Sequence, residues 1–137
     1  MSTLFYTIQL NDILAYEIYN KGTKINKNEL MILVYNYQSI LTKERIFLFV
    51  NNKNYNTESK NVSTVSELFP SANWLEREIS ELHGIIFSGK KDIRNLLLQY
   101  GDTTSPFKKS SPTIGLKEIY YNSLKDTLIQ NPVTLQL

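Results

Sequence analysis

The chain has 137 residues, of which 42% are hydrophobic and 12% aromatic, so it suits one small folded domain and not a disordered chain. It has no cysteine and a single histidine, His83, which excludes disulfides, Cys-ligated iron–sulfur clusters and His-rich metal sites. The net charge of +2 is evenly spread, with seven basic and six acidic residues in 1–70 and eight and seven in 71–137. Nucleic-acid-binding proteins usually concentrate their basic residues on one face, so this distribution argues against that class.

The chain begins with segments that favour extended structure. Residues 5–10 alternate loosely between apolar and polar side chains, which predicts a strand that Asn11 and Asp12 interrupt. Residues 13–19 fit either a strand or a short helix, and residues 20–23 have the composition of a turn.

The two most apolar runs are residues 30–37 and 46–50, both rich in β-branched and aromatic side chains. This composition predicts two strands buried on both faces. Residues 38–45 have the length of a hairpin connection, so we expect an antiparallel pair. Residues 51–60 predict a polar loop, and neither apolar run approaches the roughly 20 residues of a membrane-spanning helix.

The middle of the chain predicts helices with clear ends. A short helix over residues 62–68 is expected to close at Pro70. Asn73 is a good N-cap and Glu76 stands at the capping-box spacing after it. Gly84 is placed to end that helix in the left-handed conformation. The apolar stripe of this helix is formed at helical spacing by Leu75, Ile79 and Leu82.

The next segment predicts a short buried stretch over residues 85–87 and a turn at Ser88 and Gly89. Asp92 is then expected to cap a second helix, which Gly101 ends. After Gly101 the density of Ser, Thr, Pro and Gly predicts an extended tail that docks on another chain. The inward stripe of the second helix would consist of Ile93, Leu96, Leu97 and Tyr100.

The densest polar cluster lies on the helix that Asn73 opens. Paired carboxylates could serve as a general acid and base, but Glu76 and Glu78 are two positions apart and point to different sides of a helix. Glu81 can pair with Arg77 at the i, i+4 spacing. A structural or interface role is therefore favoured over catalysis.

Several further side chains are open to more than one interpretation. Trp74 is either a core aromatic or an interface anchor. His83 can interact with the carbonyls at the helix end, which is favoured over a proton-shuttling role. The pairs Lys90–Lys91 and Lys108–Lys109 are expected to be solvated surface.

The second half of the chain resembles the 30-kDa (NuoC-type) subunit of respiratory complex I. The resemblance begins with Leu68-Phe69-Pro70-Ser71-Ala72-Asn73-Trp74-Leu75-Glu76-Arg77-Glu78-Ile79 and continues with Gly84-Ile85-Ile86-Phe87-Ser88-Gly89, Asp92-Ile93-Arg94-Asn95-Leu96-Leu97 and Tyr100-Gly101. Further matches follow in order as far as Pro132-Val133. The resemblance covers about residues 62–137, and residues 30–37 and 46–50 match in pattern only.

The chain also departs from the family pattern at several positions. His83 replaces the usual aromatic residue, Lys90-Lys91 replaces His-Pro, Ser110-Ser111 replaces an acidic and aromatic pair, and Tyr120 replaces an arginine. The first strand–helix unit of the family domain is expected to be shortened, and the aromatic tail after Pro132 is shorter. These differences suggest that neighbouring subunits cover the missing parts.

The resemblance implies an α+β domain over residues 1–101, with a small sheet and short helices, and an extended docking tail over residues 102–137. It implies a non-catalytic subunit of the matrix arm of NADH:ubiquinone oxidoreductase that binds no cofactor and packs against the 49-kDa (NuoD-type) subunit. The implied interface residues are Trp74, Glu76, Arg77, Glu78, Gly84, Phe87, Gly89, Asp92, Arg94, Tyr100, Gly101, Pro106, Lys109, Pro112, Gly115 and Pro132.

The composition bears on where the chain works. Phe, Tyr, Ile, Asn and Lys are abundant while Gly, Ala, Arg and Pro are scarce, as in an AT-rich gene. The N-terminus has no signal or transit pattern, so a mitochondrially encoded protein, peripheral to the inner membrane, is expected. The alternatives are a stand-alone module that binds protein or nucleic acid, and a free-standing hydrolase or transferase.

Overall fold

The structure, a computed structural model, describes residues 7–18, 30–53 and 61–135. Within these ranges the chain is mostly sheet with one helix, which confirms the predicted α+β class. The predicted turn at 20–23 and most of the predicted loop at 51–60 lie outside the described residues. In chain order the elements are β1 (Ile8–Ile18), β2 (Leu30–Ser39), β3 (Arg45–Lys53), β4 (Val62–Ser63), α1 (Ala72–His83), β5 (Phe87–Ser88), β6 (Lys117–Asn122) and β7 (Thr127–Pro132).

The first three strands form one antiparallel sheet in the order β1-β2-β3. The predicted hairpin between β2 and β3 is confirmed, and its turn is closed by the Ser39 N–H donating to the Glu44 carbonyl at 2.9 Å. β1 is longer than predicted, because Asn11 and Asp12 mark a register irregularity and do not end the strand. The Asp12 carboxylate accepts the Ile13 N–H at 2.8 Å, which satisfies the backbone at this point.

Burial divides the two predicted strands. β2 is central and carries much of the core, including the fully buried Met31 and Leu33. The prediction that residues 46–50 are buried on both faces is wrong, because β3 lies at the edge of the sheet and residues 46–49 are exposed. Periodicity reports that a run is apolar, but the position of the strand in the sheet decides how much of it is covered.

The core lies between the sheet and α1, which packs on β1. Ile79 of the predicted stripe is buried, and Leu75 packs at the margin of the core. The helix begins at Ala72, one residue before the predicted cap, and Ser71 occupies the N-cap position without a side-chain cap. The capping-box prediction for Asn73 and Glu76 is therefore wrong. The first amides of the helix donate instead to the carbonyls of Phe69 and Pro70.

Residues 62–68 do not form the predicted helix. Val62 and Ser63 pair in parallel with Phe87 and Ser88, and a turn follows them. The Thr64 N–H extends this ladder by donating to the Ser88 carbonyl at 2.9 Å. The sequence run is short, so this tertiary pairing overrides its local helical pattern.

The second predicted helix, over residues 92–100, is also absent. The segment consists of bends and turns, and Ile93, Leu97 and Tyr100 of its predicted inward stripe are exposed. Gly101 nevertheless has the left-handed backbone expected of it, with φ of 82°. The physical reason lies in two side chains of α1, described below.

The tail after Gly101 contains a β-hairpin where only an extended segment is expected from the sequence. β6 and β7 are antiparallel, and Asp126 takes a left-handed conformation in the turn between them. Ile119, Tyr121 and Leu128 share one exposed face of the hairpin. The boundary of the tail at residue 102 stays a prediction.

Gly84 confirms the predicted helix stop, with φ of 70° and its N–H donating to the Ser80 carbonyl. A Cβ at this position would lie 2.8 Å from Ser105 Oγ and 2.7 Å from Lys108 Cε. Gly101 has a similar φ, but a Cβ there would meet nothing within 4 Å. The two glycines therefore separate backbone strain from side-chain crowding.

We predict that Gly101→Ala lowers the free energy of unfolding by about 1 kcal/mol, the cost of a left-handed L-residue. Gly84→Ala should cost about 1 kcal/mol more, since Ser105 must also move. Urea unfolding of the two variants and the unmodified chain measures both effects. Equal losses would contradict the proposed contact at Gly84.

Candidate functional site

The centre of the signature region is a buried ion pair between Glu76 on α1 and Lys90 after β5. Lys90 Nζ lies 3.1 Å from Glu76 Oε2, and the two side chains are 1% and 0% exposed. The carboxylate also accepts the Thr64 hydroxyl at 2.6 Å and the Val65 N–H at 2.8 Å. Lys90 donates further to the carbonyl and side-chain oxygens of Asn73, each at 3.0 Å. Both buried charges are therefore fully engaged.

The prediction that Lys90 is solvated surface is wrong. Lys90 reaches back across the helix because its ammonium has three acceptors there, whereas its neighbour Lys91 is exposed. The charge of Glu76 extends to the sheet. Burial, with a contribution from Glu76, raises the pKa of Tyr35 and of Tyr37. Tyr35 is buried, and its hydroxyl has no partner among the described residues.

Arg77 lies on the next position of α1 and holds the chain that follows Asp92. Its Nε donates to the Arg94 carbonyl at 2.9 Å and its terminal nitrogen to the Asn95 carbonyl at 3.2 Å. The guanidinium carbon lies 5.3 Å from the centre of the Trp74 ring, a cation–π contact. Arg77 itself is buried, whereas Trp74 is 60% exposed.

Glu81 fixes the same segment from its amide side. Its carboxylate accepts the N–H groups of three consecutive residues, Leu96, Leu97 and Leu98, at 2.9, 2.7 and 3.1 Å. A helix would need those amides, together with the carbonyls that Arg77 binds, for its own ladder. The two side chains therefore replace the second predicted helix. The predicted Arg77–Glu81 pair does not form.

Asp92 and Arg94 complete an exposed polar cluster beside Trp74. Asp92 accepts Arg94 Nε at 3.0 Å and Nη2 at 2.9 Å, and lies 3.8 Å from Arg77. The hydrogen bonds from Arg94 hold the pKa of the Asp92 carboxyl well below its usual range. We call Trp74, Arg77, Asp92 and Arg94 the signature patch. It combines an exposed tryptophan with a fixed guanidinium.

A second group of predicted interface residues lines an open cleft between the 98–117 segment and β7. Asn95 helps to shape it, since its amide donates to the carbonyls of Gln99 and Asp102. The group consists of glycines, prolines and one tyrosine, so it offers shape and not charge. Its members are Tyr100, Gly101, Pro106, Pro112 and Gly115.

The remaining predicted interface residues are scattered. Phe87 is a core residue, and Gly89 makes a turn with φ of 81°. Lys109 contributes its backbone N–H to the buried Glu17 carboxylate at 2.8 Å, and Pro132 ends β7 opposite Lys117. For Glu78 the described part of the chain supplies no hydrogen bond or ion pair. The interface assignment of all these residues stays a prediction.

His83 lies half-buried at the end of α1. Its ring meets Phe107 edge-on at 5.5 Å between centres, and its Nδ1 is buried without a partner among the described residues. Burial lowers the pKa of His83, and the charge of Glu17 opposes this in part. The imidazole therefore acts as an aromatic core-margin residue and not as a proton shuttle.

Sequence reasoning could find Glu76, Arg77 and Asp92 from the family signature but not their partners. Thr64 and Lys90 stand 12 and 14 positions from Glu76, and no helical or strand period links such spacings. Among the residues that the structure describes, no group of three His, Asp or Glu side chains could hold a metal ion. No helix in the described ranges is long and apolar enough to cross a membrane.

We predict that Lys90→Met destabilises the chain by about 3–5 kcal/mol, because it leaves the Glu76 charge buried without its counter-ion. The double variant Glu76→Gln/Lys90→Met removes both charges and should recover part of the loss. Urea unfolding at neutral pH measures the cycle. Lys91→Met, an exposed neighbour, is the control and should change stability by less than about 0.5 kcal/mol.

We also predict a pH dependence from His83. Because its pKa is lower in the folded chain than the unfolded value of about 6.5, the unfolded chain binds more protons near that pH. Stability therefore falls as the pH drops through the window around and below 6.5. His83→Phe should keep the contact with Phe107 and flatten this part of the profile, measured by urea unfolding at several pH values. An unchanged slope would contradict the assignment.

Known proteins supply an independent comparison. The profile of the family described as respiratory-chain NADH dehydrogenase, 30 Kd subunit, matches residues 3–117. NADH-ubiquinone oxidoreductase subunit 9 of Paramecium primaurelia is 39% identical over 112 residues, which are 81% of this chain and 51% of that protein. A NADH-quinone oxidoreductase protein of the same family from Ruegeria pomeroyi is 35% identical over 103 residues, or 75% of this chain and 50% of that protein.

A mitochondrial relative extends the match. NADH dehydrogenase [ubiquinone] iron-sulfur protein 3 of Candida albicans is 32% identical over 127 residues, covering 93% of this chain and 42% of that protein. The chain thus spans about half the length of these relatives. The alternative of a stand-alone binding module finds no support among them. The chain belongs to the family of the 30-kDa subunit of respiratory-chain NADH dehydrogenase.

Proposed function

We propose that the chain is a non-catalytic structural subunit of the peripheral arm of respiratory complex I, NADH:ubiquinone oxidoreductase. One observation carries the proposal beyond family membership. The charged signature residues are consumed by internal contacts, since Glu76 binds Lys90, Glu81 binds backbone amides and Arg77 binds backbone carbonyls. Groups so engaged hold a surface in shape and are not available to move protons in a reaction.

The partner in this proposal is the 49-kDa subunit, which contacts the signature patch. Trp and Arg dominate the energetics of protein interfaces, and a ring stacked under a fixed guanidinium loses little conformational freedom when it binds. Trp74 has that arrangement, because Arg77 is itself anchored to two carbonyls. The exposed Trp74 ring and the Arg94 side chain then form the contact surface.

The β6–β7 hairpin is the second contact in the proposal. An isolated two-stranded hairpin is marginal in water, and this one exposes large apolar side chains on both faces. Ile119, Tyr121 and Leu128 share one face, and Tyr120 projects from the other. Burial of these side chains against a neighbouring subunit would stabilise both the hairpin and the assembly.

The chain holds no cofactor in this proposal and lies on the matrix side of the mitochondrial inner membrane, peripheral to the bilayer. The name of the Candida relative includes an iron–sulfur protein, but this chain has no cysteine to ligate a cluster. The matrix position is supported by the names of the mitochondrial relatives and by the family resemblance.

The direct test is native gel electrophoresis of membranes from the source, solubilised in mild detergent. The chain should comigrate with NADH dehydrogenase activity and with the 49-kDa subunit, detected by mass spectrometry of the active band. Absence of the chain from that band would overturn the proposed function.

A substitution locates the contact. Trp74→Ala should leave the stability of the isolated chain within about 1 kcal/mol, because the ring is largely exposed. Its incorporation into the active band should fall roughly tenfold, the effect of losing a hot-spot side chain. Ile40→Ala, at a residue of matched 62% exposure in the β2–β3 turn, is the control and should incorporate normally. Equal incorporation of the two variants would remove Trp74 from the interface.

A further inference from the structure

β3 is an edge strand whose apolar residues face solvent on both sides of the sheet. Ile46, Phe47, Leu48 and Phe49 are between 51% and 61% exposed, although they are consecutive and all large. In a strand that borders a covered sheet, one of the two alternating sets would be buried. Neither set is covered in β3.

The cause is the position of α1. The helix packs on β1, two strands away, so its cover does not reach the outer part of β3. On the helix side, only Val50 and Asn52 of β3 extend into protected surroundings, while Ile46 and Leu48 lie beyond them. On the opposite side, Phe49 lies beside Val34.

The backbone edge of β3 is equally unprotected. Natural sheets guard such edges with proline, with charged side chains or with bulges. Residues 46–50 contain no proline and no charge, and the β2–β3 register runs without a shift. The outward N–H and C=O groups of this edge are a template for another strand.

We propose that β3 is a docking edge that accepts an added β-strand from another polypeptide of the respiratory complex. The inference rests on the proposed function. The added strand is apolar at its centre, so that its side chains extend the covering of both faces, and it carries acidic residues at its ends. A helix could cover one face of β3 but would leave the other face and the backbone edge exposed.

Charge selects this occupant over a second copy of the chain. Residues 43–53 carry Lys43, Arg45 and Lys53 against one acid, Glu44, and the exposed Arg45 has no ion pair among the described residues. An antiparallel copy centred on Leu48 would place Lys43 opposite Lys53. A parallel copy in register would place Arg45 beside Arg45. A strand with acidic ends pairs opposite charges instead.

The test is photo-crosslinking within the assembled complex. Residues 46, 47, 48 and 49 are replaced one at a time by photoreactive benzoylphenylalanine, the complex is isolated on a native gel and irradiated, and crosslinked peptides are sequenced by mass spectrometry. All four positions should crosslink to one short segment of one other polypeptide. The crosslinked residue should move along that segment by one position per step, and an acidic residue should flank it.

Three outcomes overturn the docking edge while the proposed function stands, because the chain still comigrates with the activity. They are crosslinks to a second copy, crosslinks from 47 and 49 alone, which indicate a helix on one face, and no crosslink from any position. Failure of the unmodified chain to comigrate would overturn both proposals.

A charge variant provides a second measurement. Phe49→Lys should reduce incorporation into the active band roughly tenfold, because the lysine would be buried against the added strand. Leu41→Lys, at the more exposed residue of the β2–β3 turn, should incorporate normally. The urea midpoint of isolated Phe49→Lys should match that of the unmodified chain, which separates lost docking from lost folding. Normal incorporation of Phe49→Lys would contradict the docking edge.

Discussion

The buried Glu76–Lys90 pair connects three parts of the chain that share no secondary structure. Glu76 belongs to α1, its carboxylate reaches Thr64 and Val65 after β4, and Lys90 follows β5. Because both charges lie out of water, each requires all of its partners, and a lost partner leaves an uncompensated charge. The pair therefore specifies one arrangement of the helix relative to the short β4–β5 ladder, and the surface outside it inherits that arrangement.

The signature patch depends on this arrangement through α1. Once the helix is placed, Arg77 and Glu81 face the segment that follows Asp92 and bind its carbonyls and amides. The segment is then held by side chains and not by its own ladder, which leaves Trp74 and Arg94 exposed on a rigid base. A charged signature thus encodes a shape. This explains how a family motif rich in carboxylates and arginines can occur in a subunit without a reaction of its own.

Two surfaces of the chain remain to be covered, and their chemistry differs. The signature patch is aromatic and cationic, whereas β3 offers a backbone edge between two apolar faces with basic ends. The hairpin formed by β6 and β7 adds a third exposed element. A small chain with so much exposed apolar area is typical of a protein that completes its core in an assembly.

The sequence alone determined the α+β class, the β2–β3 hairpin, the helix stop at Gly84 and the family, because these depend on local patterns or ordered motifs. It could not place Asn73, Lys90 or residues 92–100, where local signals favoured a cap, a solvated lysine and a helix. The tertiary structure decided those, since backbone carbonyls, a buried carboxylate and the side chains of Arg77 and Glu81 competed successfully for the same groups. It also decided that β3 is an edge strand, because the coverage of a strand depends on its neighbours and not on its own residues.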